Sequence, residues 1–406
     1  MSEELKELTD HRDIGRELDL FSFHEIAPGA PFWHAKGMII FKELEKFARE
    51  MNEQNGYQEI STPILVKKEV FEKSGHWDHY RENMFYFQNP RDEKEMLVVK
   101  PMNCPESTYI FNSKVRSYRE LPLRLAEIGR LNRNELSGTL GGLFRVRQIT
   151  MDDAHIYVAP EQVSQEVVNI IETIDDFYLM FGFKTSYVLA TRPKDALGTP
   201  EEWEMAEKAL EDALEQAEVK YETAEGEGAF YGPKIEAHLR DSQDRDWQMG
   251  TAQLDLVMLS KQFNVSYIAE DGSRKKPWVI HRAIFGSFER FIGVLLEHTQ
   301  GKLPLWLSPV QVTVLSVSDS FNDYANSVAE KMRLAGIRTE IGGSSETIGK
   351  KIREAEIQKI PYILVAGEKE KSNNSVAVRK RGQGDQGQVE LDKFINDLVT
   401  EIKAKK

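Results

Sequence analysis

The sequence predicts an α+β protein, with a large antiparallel-sheet domain over residues 1–305 followed by a small α/β domain over residues 306–406. Three observations carry this. The first three hundred residues hold short alternating apolar runs joined by hairpin-like breaks and long insertions, which suits an antiparallel sheet better than a doubly wound one. Leu303-Pro304 and Ser308-Pro309 then punctuate the chain. Charge changes there too: residues 309–406 carry net +2 and everything before them −15, within an overall −13.

Ile40, Leu44, Phe47 and Met51 recur at steps of four, three and four, one face of a helix over residues 38–55. Residues 57–62 read as extended and run into Pro63, which has no N–H for a ladder and so belongs at a sheet edge. PLRLAEIG (122–129) alternates, a polar and glycine-rich stretch (132–142) interrupts, and FRVRQIT (144–150) alternates again, predicting a hairpin with a long tip. Helices are expected at 161–182 and 201–218, extended stretches at IEAHL, TAQLDLVM and KPWVIHRAI, and a helix from about Gly286. The tail reads as strand (VTVLSVS), helix (322–334), strand (IRTEI), helix (347–359), strands (PYILVAG, SVAVRKR) and a closing helix.

Composition excludes several function classes. A charge of −13 leaves no uniformly basic surface, so a nucleic acid would be met by a local patch. The single cysteine, Cys104, excludes an intrachain disulfide and any CxxC site, and suits a reducing, cytoplasmic compartment. No run of eighteen apolar residues occurs and MSEELKELTDHRD has no signal-like core, so a soluble chain with no membrane partner is expected. GGSSETIGKK fails as a phosphate loop at Ser344 and Lys351, and GEGEGAFYG lacks the strand that precedes a dinucleotide fingerprint.

Two constellations survive. Arg133 and Glu135 sit at the hairpin tip with Arg145 and Arg147 returning opposite them. Forked guanidinium donors suit phosphates and a carboxylate suits a base amine, although a solvated surface hairpin has the same composition. Cys104, His155 and His281 are the donor types of a zinc site with a vacant position, yet they share no local spacing and each fits a buried core position equally well.

The ordered motifs DHRDIGRELDLF (10–21), APGAPFWHAKG (27–37), SGHWDHY (74–80), VKPMNCP (99–105), RNELSG (133–138), MDDAHIY (151–157), GEGAFYGPKIE (226–236), WQMGTAQLDL (247–256) and IHRAIFGSFERFIG (280–293) resemble the threonyl-tRNA synthetases, a family of class II aminoacyl-tRNA synthetases. The resemblance implies a class II catalytic domain at 1–305, an anticodon-binding domain with a mixed sheet at 306–406, and ligation of threonine to tRNA(Thr) through threonyl-adenylate. It implies that Arg133 holds the α-phosphate of ATP, Glu135 reads the adenine amine, Arg145 and Lys234 contact phosphates, Gln248 and Thr251 lie beside the ribose, and Arg290 stacks on adenine, with Mg2+ accompanying the triphosphate. It further implies one Zn2+ per subunit on Cys104, His155 and His281, threonine contacts from Asp153 and Tyr231, and His76 as a general base in transfer with an ordinary pKa of about 6.5. Glu370 and Arg379 would contact the anticodon, and residues 37–63 would form a homodimer interface.

With about ten residues before the core, cis removal of misattached serine is not expected, leaving that task to a free-standing trans-editing protein. Some positions depart from the family pattern: Ile149 stands for an aromatic, Met151 for a glutamine, Asn132 and Gly141 for histidines, and Glu106-Ser107 for Gly-His. These departures leave open a weakened paralogue that binds tRNA or amino acid as a regulator, or an adenylating enzyme with another acceptor.

Overall fold

The computed structural model describes residues 9–343 and 346–405, so Ser344 of the rejected phosphate loop and the first eight residues lie outside it. The chain divides into two compact units, one of residues 23–31 and 45–294, the other of residues 9–22, 32–44 and 295–405.

The larger unit is built on an eight-stranded sheet. Its order is Tyr221–Ala224, Lys184–Ala190, Lys234–Arg240, Asp246–Asp255, Trp278–Ser287, Gln148–Val158, Leu123–Asn132 and Gln58–Glu59. The six inner strands pair antiparallel, as the alternating runs predict, while the outermost strand on each side pairs parallel to its neighbour. The strand expected at an edge, here Gln58–Glu59, is at that edge and follows the expected helix, Ala35–Gln54.

Helix Pro200–Gln216 shows how local chemistry sets an element. Thr199 and Glu202 form a capping box, Pro200 occupies the first turn where its missing N–H costs nothing, and Trp203, Ala206, Leu210 and Leu214 are buried along one stripe. Each large apolar side chain so buried contributes about 1.5 to 3 kcal/mol.

Three local expectations need correction. The returning strand of the hairpin begins at Gln148, not at Phe144, because the Arg147 N–H donates to the Gly29 carbonyl and the Arg145 carbonyl accepts from Gly141, which diverts this stretch from the ladder. TAQLDLVM does not stay extended: the Asp255 carboxylate accepts the N–H groups of Val257, Met258 and Leu259 at 2.6 to 2.9 Å and turns the chain into a helical turn, Met258–Gln262. A hairpin of Phe85–Asn89 and Asp92–Val99 has no counterpart in the sequence reading.

The smaller unit holds a five-stranded mixed sheet in the order Thr339–Ile341, Val312–Ser316, Tyr362–Ala366, Ser375–Lys380 and Gly384–Glu390, the first three parallel and the last two antiparallel. Helices Asn322–Leu334 and Leu391–Lys403 bury Val328, Met332, Phe394 and Leu398 with Val312, Val314, Leu364 and Val376 in one core. No helix among the described residues is long and apolar enough to cross a membrane.

Candidate active site

Sheet register assembles the first half of the site. His155 and His281, far apart in sequence, are direct antiparallel partners, and Gln253 is the partner of His281 on the next strand, so all three lie along one rung. Asp153 lies two residues from His155 and shares its face. Cys104 is brought to the same place at the start of helix Cys104–Phe111, and one donor atom from each of Cys104, His155 and His281 lies within 4.8 Å of the other two.

One sulfur and two imidazoles are a donor set suited to zinc. Burial argues the same way. The His155 ring is held neutral with its pKa lowered to about 4 by desolvation, and its Nε2 is buried with no hydrogen-bond partner. Desolvation, helped by Asp153 and Glu106, pushes the Cys104 thiol well above its ordinary value, a cost that a bound cation would reverse. His281 Nε2 lies 3.3 Å from Asp255 Oδ2, a carboxylate placed to orient the ring. The residues therefore fit the zinc expected of them.

A cavity of about 280 Å³ opens beside this triad, lined by Cys104 and His281 together with His76, Asp153, Tyr231 and Thr251. Asp153 is fixed by Asn103 Nδ2 at 3.0 Å, and Asn103 fits only because position 129 is glycine: a Cβ there would lie 2.5 Å from Asn103 Oδ1. The Tyr231 hydroxyl donates to Gln253 Oε1. His76 corrects an expectation. It is 2 % exposed, accepts or donates at 2.7 Å with Ser74 Oγ, and has its pKa lowered to about 3, first by burial and then by His281, His79 and Arg133, so it is a neutral and weak base.

A second cavity, of about 470 Å³, is lined by Glu135, Phe144, Arg145, Ile149, Gln248 and Arg290. Arg133, Tyr80 and Met151 line both cavities, so one guanidinium stands where they meet. Arg133 donates to the Pro101 carbonyl at 3.2 Å and lies 5.8 Å from the Tyr80 ring centre. Arg145 Nε donates to Glu135 Oε2 at 2.8 Å, and Arg290 donates to the carbonyls of Phe144 (3.0 Å) and Gln248 (3.4 Å). Burial and the neighbouring Arg133 and Arg145 lower the Arg290 pKa, the mark of cations crowded with a single carboxylate. Such a cavity suits a polyanion. Gly286, at φ 72°, is the penultimate residue of the strand under it: a Cβ would lie 2.8 Å from the Met249 carbonyl oxygen.

Two predicted residues sit differently from the rest. Thr251 lines the smaller cavity, away from Gln248. Lys234 pairs with Glu236 at 2.5 Å, and Glu236 also accepts from Gln248 at 2.6 Å. In the smaller unit, Glu370 caps the backbone N–H of Gly367 at 3.1 Å, and Arg379 lies 4.0 Å from Glu356 and 3.9 Å from Asp385. Sequence reasoning missed Tyr80, Asn103 and Glu236 as individual residues, although all three stand inside quoted motifs.

Comparison with known proteins gives the family of the fold. Residues 85–299 match the tRNA synthetase class II core domain (G, H, P, S and T), and residues 311–401 match an anticodon binding domain. The chain is 51 % identical to the threonine–tRNA ligase of Carboxydothermus hydrogenoformans over 397 residues, and 49 % identical to that of Finegoldia magna over 397 residues. In each case the match covers 98 % of this chain and 62 % of the relative, so the chain spans less than two thirds of their length. A crystal structure described as the RNA binding domain of threonyl-tRNA synthetase from Cryptosporidium parvum is similar at 40 % identity and a TM-score of 0.90, covering 97 % of this chain and 98 % of that one. On the match that spans residues 85–299, the chain belongs to the class II aminoacyl-tRNA synthetases.

Proposed function

We propose that the chain acts as a threonine–tRNA ligase, joining threonine to ATP as threonyl-adenylate with release of pyrophosphate and passing threonine to the 3′ end of tRNA(Thr). The observation that carries this reading is the meeting of two unlike cavities at Arg133, one beside a thiol and two imidazoles and the other lined with arginines. The relatives named threonine–tRNA ligase support the same choice of amino acid.

In this reading Cys104, His155 and His281 would hold zinc, which when bound would supply a Lewis-acid site for the amine and hydroxyl of the amino acid. Asp153 accepts the substrate hydroxyl's hydrogen bond, and Tyr231 orients its amine. Valine has no hydroxyl, and a site built to bind one rejects the isostere by roughly 10⁴-fold. Arg133 draws the α-phosphate to the carboxylate that attacks it, Arg145 and Lys234 contact the phosphates, Glu135 reads the adenine amine, Arg290 stacks on adenine, and Gln248 and Thr251 approach the ribose from the two cavities. Mg2+ arrives with ATP. His76, neutral at pH 7, would accept the terminal ribose proton; its low pKa makes it a modest base.

The proposal extends to the catalytic and anticodon-binding division at 305 and 306, to Glu370 and Arg379 as anticodon contacts, to a homodimer through the helix and strand of residues 37–63, and to a cytoplasmic location. Serine keeps the hydroxyl and lacks only a methyl, a difference worth about 1 to 3 kcal/mol. The amino-acid site should therefore admit serine and form some seryl-tRNA.

The test is threonine-dependent ATP–pyrophosphate exchange, with zinc content measured and with serine and valine run in parallel. Exchange with threonine and serine but not valine, at near one zinc per chain, is the expected result. Absence of exchange despite bound zinc and ATP would overturn it in favour of a regulatory paralogue.

A further inference from the structure

We infer that His238 is a positioning residue for the ATP site: held between Glu236 and Asp246, it competes with Lys234 for the Glu236 carboxylate and so governs how far the Lys234 charge turns to a bound phosphate. This rests on the reading of the larger cavity as the ATP site with Lys234 beside its phosphates. Lys234, Glu236 and His238 alternate along one strand and so share a face. Glu236 is the register partner of Thr251 and His238 that of Gln248, and these two residues line the smaller and the larger cavity. The cluster therefore lies on the face of the sheet that carries the site. Lys234, with its ammonium on Glu236, lines neither of the two cavities.

One carboxylate meets three donors. Glu236 Oε1 lies 2.5 Å from Lys234 Nζ and 2.6 Å from Gln248 Nε2, and Glu236 Oε2 lies 3.4 Å from His238 Nε2. The other ring nitrogen, His238 Nδ1, lies 2.6 Å from Asp246 Oδ2. Both nitrogens face carboxylates, which favours the imidazolium, in which each nitrogen donates. Farther along the same face stand Arg240, paired with Asp244 at 3.1 Å, and its register partner Lys184, while Ser186 is the partner of His238 on that neighbouring strand. Hydrogen bonding to Glu236, and then to Asp246, raises the His238 pKa above its ordinary 6.5 against the desolvation that lowers it. A charged ring offsets the Glu236 carboxylate and loosens its hold on Lys234. A neutral ring that donates to Asp246 through Nδ1 turns a lone pair toward Glu236, and the whole carboxylate charge then falls on Lys234 and Gln248. The ammonium is held on the strand and offers less to a phosphate.

The experiment reads the KM for ATP in threonine-dependent pyrophosphate exchange by the full chain from about pH 6 to 8.5, with the KM for threonine alongside and ATP binding to the wild type measured by calorimetry. In the wild type the ATP KM should rise roughly 3- to 10-fold as His238 loses its proton. His238→Gln, which keeps a donor and carries no charge, should hold the ATP KM near its high-pH value throughout and leave the KM for threonine within about 2-fold of wild type. ATP titrates identically with both proteins, so the difference between the two profiles belongs to His238. Asp246→Asn removes the charge of one carboxylate facing the ring and should move the midpoint of the rise to lower pH by about 0.5 to 1. If His238→Gln does not fold, the Asp246→Asn midpoint decides. Parallel profiles for wild type and His238→Gln, or an unmoved midpoint in Asp246→Asn, overturn the inference while leaving the ATP site standing. A wild-type chain that binds no ATP overturns both.

Discussion

The two cavities meet at one arginine yet are made differently. The smaller takes most of its chemistry from strands: His155, His281 and Gln253 share a rung, and Asp153 stands two residues along. The larger takes Glu135, Phe144 and Arg145 from the connection between two strands and Arg290 from the helix Phe288–Thr299. In the proposed reading coordination tolerates little displacement, and two of the three donors, His155 and His281, sit on a ladder held by hydrogen bonds along its length. Gripping a flexible triphosphate, as proposed for the larger cavity, would need excess positive charge more than fixed distances, and a loop can supply that.

The sharpest break in the comparison is expected from His281→Ala. It should abolish zinc retention and lower threonine activation by roughly 10³-fold or more while ATP affinity stays within about 2-fold; a matching loss of ATP binding would show that the cavities are not separable. Arg133→Lys, at the junction, should lower kcat by about 10²- to 10³-fold with modest change in either KM, read from steady-state exchange. On the larger side alone, Arg290→Lys or Glu135→Gln should weaken ATP by roughly 10-fold and leave zinc content unchanged.

The smallest effect concerns Glu289, which accepts the Thr150 N–H at 2.9 Å and whose pKa burial raises from an ordinary 4.5 to about 7. An unfolded chain loses this proton first. Stability from this group is therefore complete below about pH 4.5 and is lost as pH rises to about 7. Glu289→Gln should flatten that window by an amount on the order of 1 kcal/mol, measured as urea midpoints between pH 4.5 and 8.

The same contrast governs what could be read from the residues. Helix Asn322–Leu334 has the bounds that its periodicity predicts, and the edge position of Gln58–Glu59 follows from Pro63. Periodicity misled where long-range partners intervened, as at Arg147, whose N–H bonds Gly29, and at Asp255, whose carboxylate captures three N–H groups. FYFQNPRDEKEMLVV escaped notice because its apolar residues cluster without alternation. The candidate triad of Cys104, His155 and His281 has no local spacing because strand pairing, which no short window encodes, makes His155 and His281 neighbours. Only the ordered family motifs made it legible. The low pKa of His76 was beyond sequence altogether, being set first by burial and then by His281, His79 and Arg133, which the fold brings around it.

The shared rung has a consequence for how the chain folds. Side chains alternate faces along a strand, so a one-residue slip between Gln148–Val158 and Trp278–Ser287 would turn one imidazole to the opposite side of the sheet. An ion gripped by both rings would then bind the native alignment and no slipped one, and by mass action would draw the population toward it. The triad would act as a proofreader of strand alignment as well as a binding site.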